Sequence, residues 1–151
     1  NYRIREAGGK ILLAEDVKSE YYSRGSLKKL WKQYFQYGFW KVRVLQKHPR
    51  QMSLRQFIPL GFVLALILTL FLSFLAPWGW KALLALVGVY LLANLSASVM
   101  TAAGQGFKKL LLLPLAFAII HLSYGLGFLV GLFKFWNRWG DKAGKVPKFE
   151  V

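Results

Sequence analysis

From Leu27 to Leu45, apolar residues return at three- and four-residue steps: Leu27, Leu30, Trp31, Tyr34, Phe35, Gly38, Val42 and Leu45. That is the period of one helix face. Lys28, Lys29, Lys32, Gln36, Lys41 and Arg43 fall mostly elsewhere, so the predicted helix is amphipathic and basic. Ser26 is placed to cap its start. His48-Pro49 should end it, because the residue before a proline is pushed out of the helical region. A basic helix rich in Trp and Tyr suits a membrane interface, where the rings sit at headgroup depth; packing on a soluble core is the alternative for the same pattern. The uncharged runs that follow favour the interface.

After a linker with Ser53 as a second candidate cap, Phe57 to Leu75 carries no charge. At about 1.5 Å per residue it can cross a hydrocarbon core of roughly 30 Å. Pro77-Trp78-Gly79-Trp80 reads as a tight turn, and Ala82 to Thr101 as a second span. Asn94, Ser96 and Ser98 within it suit bonds to neighbouring helices or to backbone. Ala102 to Lys109, with Gly104, Gly106 and Lys108-Lys109, reads as a loop. Residues 110–133 form a third apolar segment, interrupted by Pro114 and by His121-Leu-Ser-Tyr-Gly125. In it Ser123, Gly127 and Gly131 recur every four residues, a small-residue stripe that admits another helix closely.

The stretch before the amphipathic helix has a different character. Asn1 to Gly9 predicts a short helix end stopped by Gly8 or Gly9 in a left-handed cap. Lys10 to Leu13 and Val17 to Tyr22 predict two strands around the polar break Glu15-Asp16. Two short strands and a helix turn cannot offset their own ordering entropy, so this piece is expected to belong to something larger. Chain position adds to that expectation: the sequence opens on Asn1 rather than Met, inside what reads as a folded unit.

Composition strengthens the membrane reading. Hydrophobic residues make up 56% and aromatics 17% of the 151 residues, far above the soluble norm. The formal charge of +15 would suit nucleic acid, but no nucleic-acid motif accompanies it, and anionic lipid or a phosphate-bearing substrate is the expected partner. With no cysteine, disulfides and thiolate metal sites are excluded. The polar first residues hold no cleavable-signal pattern. The positive-inside rule puts the basic N-terminal part and the 102–109 loop in the cytoplasm. It leaves two options for the basic tail, residues 134–151. Three crossings place it outside against the rule, whereas a re-entrant or interfacial third segment keeps it inside.

Little in the chain points to chemistry by itself. Glu15 and Asp16 are neighbours on an extended stretch and point to opposite faces, which fits a solvated turn. His48 has no partner at metal-ligand spacing and reads as a turn residue. His121, inside an apolar segment, has two readings: a functional ionisable group, or a neutral imidazole satisfied by a neighbouring helix. Lys28 and Lys29 oppose the dipole at the start of the amphipathic helix, a cost that a nearby anion would offset.

Taken in order, Asn1-Tyr-Arg-Ile-Arg-Glu-Ala-Gly-Gly9, Tyr22-Ser-Arg-Gly-Ser-Leu27, Gln33-Tyr-Phe-Gln-Tyr-Gly38, Trp40-Lys41, His48-Pro49 and His121-Leu-Ser-Tyr-Gly125 form one set. The set resembles the C-terminal third of membrane-bound family 2 glycosyltransferases, nearest to the succinoglycan-type exopolysaccharide glucosyltransferases. The resemblance implies a mainly α membrane protein. Residues 1–25 would end a Rossmann-like α/β (GT-A) catalytic domain, and residues 26–56 would form an interface helix and linker. Residues 57–133 would hold the apolar segments at about 57–75, 82–101 and 110–133, followed by the tail.

It also implies an inverting transfer, at the cytoplasmic side of a bacterial inner membrane, from a nucleotide-sugar donor to a lipid-linked saccharide. Mg or Mn would be held by an Asp-x-Asp motif, and an acidic base would lie just upstream of Asn1; neither is in this chain, which is expected to be inactive alone. Gln33 matches the Gln of the Gln-x-x-Arg-Trp motif of processive synthases, but Gln36 and Tyr37 stand where that motif has Arg and Trp. This departure argues against processive polymerisation. By the same resemblance Arg24 and Lys41 are candidate diphosphate or acceptor contacts, and Trp40 or Tyr37 could stack on a sugar. A small non-enzymatic membrane protein that binds or flips lipid-linked sugars is the rival expectation.

Overall fold

The structure is a computed structural model that describes residues 2–12, 16–18, 20, 25–106 and 110–140. Five α-helices follow one another: α1 (Tyr2–Glu6), α2 (Leu27–Lys47), α3 (Ile58–Leu75), α4 (Gly79–Gln105) and α5 (Leu113–Lys134). Short 3-10 turns at Pro49–Gln51 and Leu54–Gln56 join α2 to α3, and another at Trp136–Arg138 follows α5.

The start of the chain keeps its helix stop and loses its strands. Gly8 has φ +82°, and the Gly8 and Gly9 amides donate to the Arg5 and Ile4 carbonyls at 3.1 and 2.8 Å. This is the left-handed cap with paired bonds that a glycine permits. No strand occurs among the described residues, so the expectation fails at Lys10–Leu12, Val17, Lys18 and Glu20. A strand holds only when it forms a paired ladder with a neighbouring strand, which a linear pattern of apolar residues does not by itself provide. The rest of both predicted strands, with Glu15, lies outside the described residues.

α2 starts and stops where its sequence directs. The Lys29 amide donates to Ser26 Oγ at 3.3 Å, and His48, just before Pro49, is the C-cap. Ser53 precedes a 3-10 turn without a side-chain cap bond, so the second expected cap is absent. The seam of α2 packs on α5. Phe35 meets Gly127, Phe39 meets Gly131, and the Arg43 guanidinium lies over the Phe135 ring, 5.5 Å from its centroid. Residue numbers rise together along this contact, so the two helices run parallel.

Glycine makes the approach possible. A Cβ on Gly38 would collide with the Tyr124 carbonyl, and one on Gly127 with the Phe35 carbonyl. The register is locked at the far end, where Gln46 Nε2 donates to the Phe135 carbonyl at 2.7 Å and Arg43 to the Arg138 carbonyl at 3.4 Å. Cations and amides suit these terminal carbonyls of a helix. Val42 and Phe128, both fully buried, centre the core with Leu60 and Phe135.

α3 and α4 form an antiparallel hairpin. Gly79 packs against the Leu72 backbone, where no Cβ would fit, and the Phe62 and Tyr90 rings stack with centroids 4.2 Å apart. This close approach draws Gly79 and Trp80 into α4, so the turn is shorter than the sequence pattern indicates. α4 also runs past Thr101, through Gly104, and stops at Gly106 with φ +98°. Lys108 and Lys109 lie outside the described residues. Pro114 does not interrupt the third segment. It occupies the first turn of α5, where its missing N–H has no helical partner to lose, and Gly125 sits mid-helix where α5 touches the Pro59 carbonyl of α3.

α3, α4 and α5 are each long and apolar enough to cross a membrane, and large side chains such as Phe71, Phe74 and Leu92 are exposed.

Candidate functional site

A second stripe of α2 runs beside the seam. Tyr34, Tyr37, Lys41 and Val44 follow at three- and four-residue steps, with Gln36 and Trp40 at its outer edge. Because the seam holds this helix against α5, the stripe becomes the wall of a groove of about 690 Å³. Ile120, His121 and Tyr124 of α5 form the opposite wall, and Arg55, Gln56 and Pro59, at the entry to α3, close one end.

The structure thus brings together Gln36, Tyr37, Trp40, Lys41 and His121 from the residues singled out in the sequence. Gln33 stands just behind them and donates from Nε2 to Tyr37 Oη at 2.7 Å. That bond orients the Tyr37 ring. Arg24 lies outside the described residues. Tyr34, Arg55, Gln56 and Tyr124 are additions. Tyr34 is one turn before Tyr37 and was legible from helix spacing, whereas nothing in the sequence marks Arg55, Gln56 or Tyr124 as their neighbours.

The lining has a definite chemical character. Tyr37 and Trp40 are 53% and 58% exposed, and the Trp40 ring rests on that of Phe135 with centroids 5.7 Å apart. Tyr34 packs edge-on against Tyr37 with centroids 5.6 Å apart. Lys41 and Arg55 supply positive charge, and among the described residues that line the groove none is acidic. Gln56 Oε1 is buried and accepts no hydrogen bond from the described residues. A buried acceptor without a partner costs about 1–3 kcal/mol, which a ligand donor in the groove would recover.

His121 stands between this groove and a second cavity. Its Nδ1 is 3.1 Å from Tyr90 Oη, and Asn94 Nδ2 donates to the Pro114 carbonyl at 3.0 Å and to Tyr90 Oη at 3.4 Å. The imidazole is therefore bonded to a neighbouring helix. Ser98, buried on α4, bonds the Asn94 carbonyl within its own helix at 2.8 Å. The second cavity, about 490 Å³, lies between α3, α4 and α5, with Phe62, Leu86, Val89, Ala93 and Phe117 in its apolar lining. Pro59 and His121 line both spaces. A polar, aromatic, cationic groove therefore adjoins an apolar slot.

Over 138 residues, 91% of its length, the chain is 33% identical to the succinoglycan biosynthesis protein ExoA of Rhizobium meliloti (strain 1021). The chain is a relative of ExoA. It spans about 40% of that protein's length. No protein-family model and no solved structure matches it. The likeness to ExoA covers α2, the hairpin and most of α5, since it extends over nine-tenths of the chain. It agrees with the exopolysaccharide family that the ordered sequence motifs resemble.

Among the described residues no three His, Asp or Glu side chains come together in a way that could hold an ion, and the groove lining offers only His121 as a ligand type. The Mg or Mn that the resemblance implies is expected on an Asp-x-Asp motif outside this chain. What the groove residues fit is an anion beside a stacked ring.

Proposed function

We propose that this chain is the membrane-anchoring C-terminal part of an inverting family 2 glycosyltransferase of exopolysaccharide synthesis. It would hold the lipid-linked saccharide that receives a sugar from a nucleotide-sugar donor at the cytoplasmic face of a bacterial inner membrane. On this reading residues 1–25 end the catalytic domain, residues 26–56 form the acceptor platform, residues 57–133 form the anchor, and residues 134–151 are a basic tail.

The observation that carries the reading is the groove itself. Lys41 and Arg55 are suited to a diphosphate, which takes charge-assisted hydrogen bonds from Lys and Arg. Tyr37 and Trp40 present faces on which a sugar ring can stack, and the amides of Gln36 and Gln56 match its hydroxyls. An acceptor of this class is amphiphilic, and the adjoining apolar slot suits its hydrocarbon chain. Lacking a carboxylate, the groove binds and orients; deprotonation of the acceptor hydroxyl falls to the upstream catalytic domain.

The test uses the complete protein in native membranes, with a nucleotide sugar and a polyprenyl-diphosphate saccharide. Lys41→Gln and Arg55→Gln should each raise KM for the lipid acceptor about tenfold or more, as expected for loss of a charge-assisted bond, and leave KM for the donor unchanged. The 151-residue chain alone should release no nucleotide from any donor in Mg or Mn buffer. Turnover by the isolated chain, or an unchanged acceptor KM in both variants, would reject the reading. A complete protein that binds the lipid saccharide but transfers nothing would favour the rival, a subunit that binds or flips lipid-linked sugars.

A further inference from the structure

α5 is apolar enough to cross a bilayer, but its contacts are not those of a helix running alongside α3 and α4. Along α5, Pro114 meets Asn94, His121 meets Tyr90, Gly125 meets Pro59 and Val63, and Phe128 meets Phe57. From Pro114 to Phe128 the helix advances about 21 Å. On the hairpin these contacts stay within the first two turns of α3 and the level of α4 that faces them. Because α3 and α4 are antiparallel, a helix lying along one would show contacts spread toward the Ala76 turn. α5 instead passes across the hairpin near its open end.

Two further observations agree on that level. α4 changes character there: Trp80 to Leu95 is almost wholly apolar, whereas Ser96, Ser98, Thr101 and Gln105 follow. At the other end Trp78, Trp80 and Lys81 cluster at the turn, with both Trp rings exposed, as at a membrane–water boundary. The hairpin's hydrocarbon zone therefore ends where α5 crosses it.

α2 then decides the orientation of α5. The two are parallel and locked by Gly38, Gly127 and Gly131, so whatever tilt α5 takes, α2 takes too. An upright pair would carry Lys32 and Lys41, on either side of the middle of α2, into hydrocarbon. A flat pair keeps both at headgroup depth.

We propose that α5 does not cross the membrane but lies with α2 in one membrane interface, across the open end of the α3–α4 hairpin. The chain then crosses the bilayer twice, and residues before α2 and after α5 face the same side. The basic tail shares the side of the basic amphipathic helix, as the distribution of Lys and Arg requires. The platform is independent of any transferase activity, so its test stands whether or not the functional reading holds.

These 151 residues hold no cysteine, so each variant adds one thiol to this part of the protein, and its labelling is read against that of the unsubstituted complete protein. Gly25→Cys, Pro77→Cys and Gly140→Cys sit at exposed positions, and a Cβ at Gly25 or Gly140 meets no atom within 4 Å. The complete protein is expressed in cells, and an impermeant maleimide is applied to intact spheroplasts and to inverted vesicles. Pro77→Cys should label from one side, and both Gly25→Cys and Gly140→Cys only from the other. Labelling of Gly140→Cys together with Pro77→Cys would overturn the proposal.

Spin labels at exposed Leu115 and Val130 of the purified protein in bilayers then separate a flat helix from a re-entrant one. Equal shallow depths are expected. A depth difference approaching the roughly 22 Å between these positions along the helix axis would also overturn it.

Discussion

At Gly127 a single hydrogen atom sets the distance between two helices. Its Cβ position is filled by the Phe35 carbonyl, a rigid backbone group that cannot rotate away. Gly127→Ala should therefore force α2 and α5 apart and destabilise the protein by about 1–3 kcal/mol, the usual range for overpacking. Gly88, in the middle of α4 with open space around it, is the control. There alanine should be neutral or stabilising by up to about 1 kcal/mol through helix propensity alone. Thermal unfolding of the detergent-solubilised variants measures both, and equal losses would show that the glycine seam is not what holds the pair.

Gln56 offers a different residue-scale prediction. Its buried Oε1 lacks a partner among the described residues, so Gln56→Met should leave the stability of the ligand-free protein unchanged or raise it. The same variant should weaken retention of a lipid-diphosphate saccharide several-fold, by about 1 kcal/mol for one neutral hydrogen bond. Retention can be read by native mass spectrometry of the purified protein. Unchanged retention would mean that the orphaned oxygen does not face the ligand.

Among elements, α2 carries the most consequence, and its N-terminus is held by little. One side-chain cap, Ser26 Oγ accepting from the Lys29 amide, works against Lys28 and Lys29, and no acidic residue lies in the first turn. Ser26→Ala should cost about 0.5–2 kcal/mol locally, visible as faster hydrogen exchange at the amides of Lys28–Leu30. Anionic bilayers should slow that exchange more than zwitterionic ones, because negative charge stabilises a helix N-terminus. At about 1 M salt, where the screening length falls to roughly 3 Å, the difference should vanish. If exchange is indifferent to lipid charge, this helix end is not at the membrane surface.

For the whole molecule, the sign of each energy favours one arrangement. Each Lys or Arg held at the centre of a span costs about 2.5–3.5 kcal/mol, and Lys32 and Lys41, on either side of the middle of α2, approach that penalty if it stands upright. Laid flat, the same side chains reach headgroups while the seam stays buried on α5. The groove lined by Lys41 and Arg55 then opens at headgroup depth, which is where the diphosphate of a membrane lipid resides.

The sequence by itself determined the elements. Ser26 and Pro49 bracket α2, Gly8 stops α1 by adopting positive φ, and charge-free runs mark α3, most of α4 and α5. All of these depend on interactions within a few residues, and a linear pattern records them in full. Helix periodicity likewise put Gln33, Tyr37, Trp40 and Lys41 within α2, where the resemblance to the transferases singled them out.

Only the tertiary structure decided what those elements do together. That Pro114 opens a helix rather than breaking one depends on where the first turn falls, and whether the described residues of the two expected strands are extended depends on a paired ladder that lies beyond a local pattern. The groove needed Arg55, Gln56 and Tyr124 beside a helix far from Tyr124 in sequence, and the orientation of α5 needed α2 alongside it. Composition gave α5 the length and hydropathy to cross a bilayer. The charges that keep it from doing so sit on another helix, and glycine-mediated contact is what makes them its own.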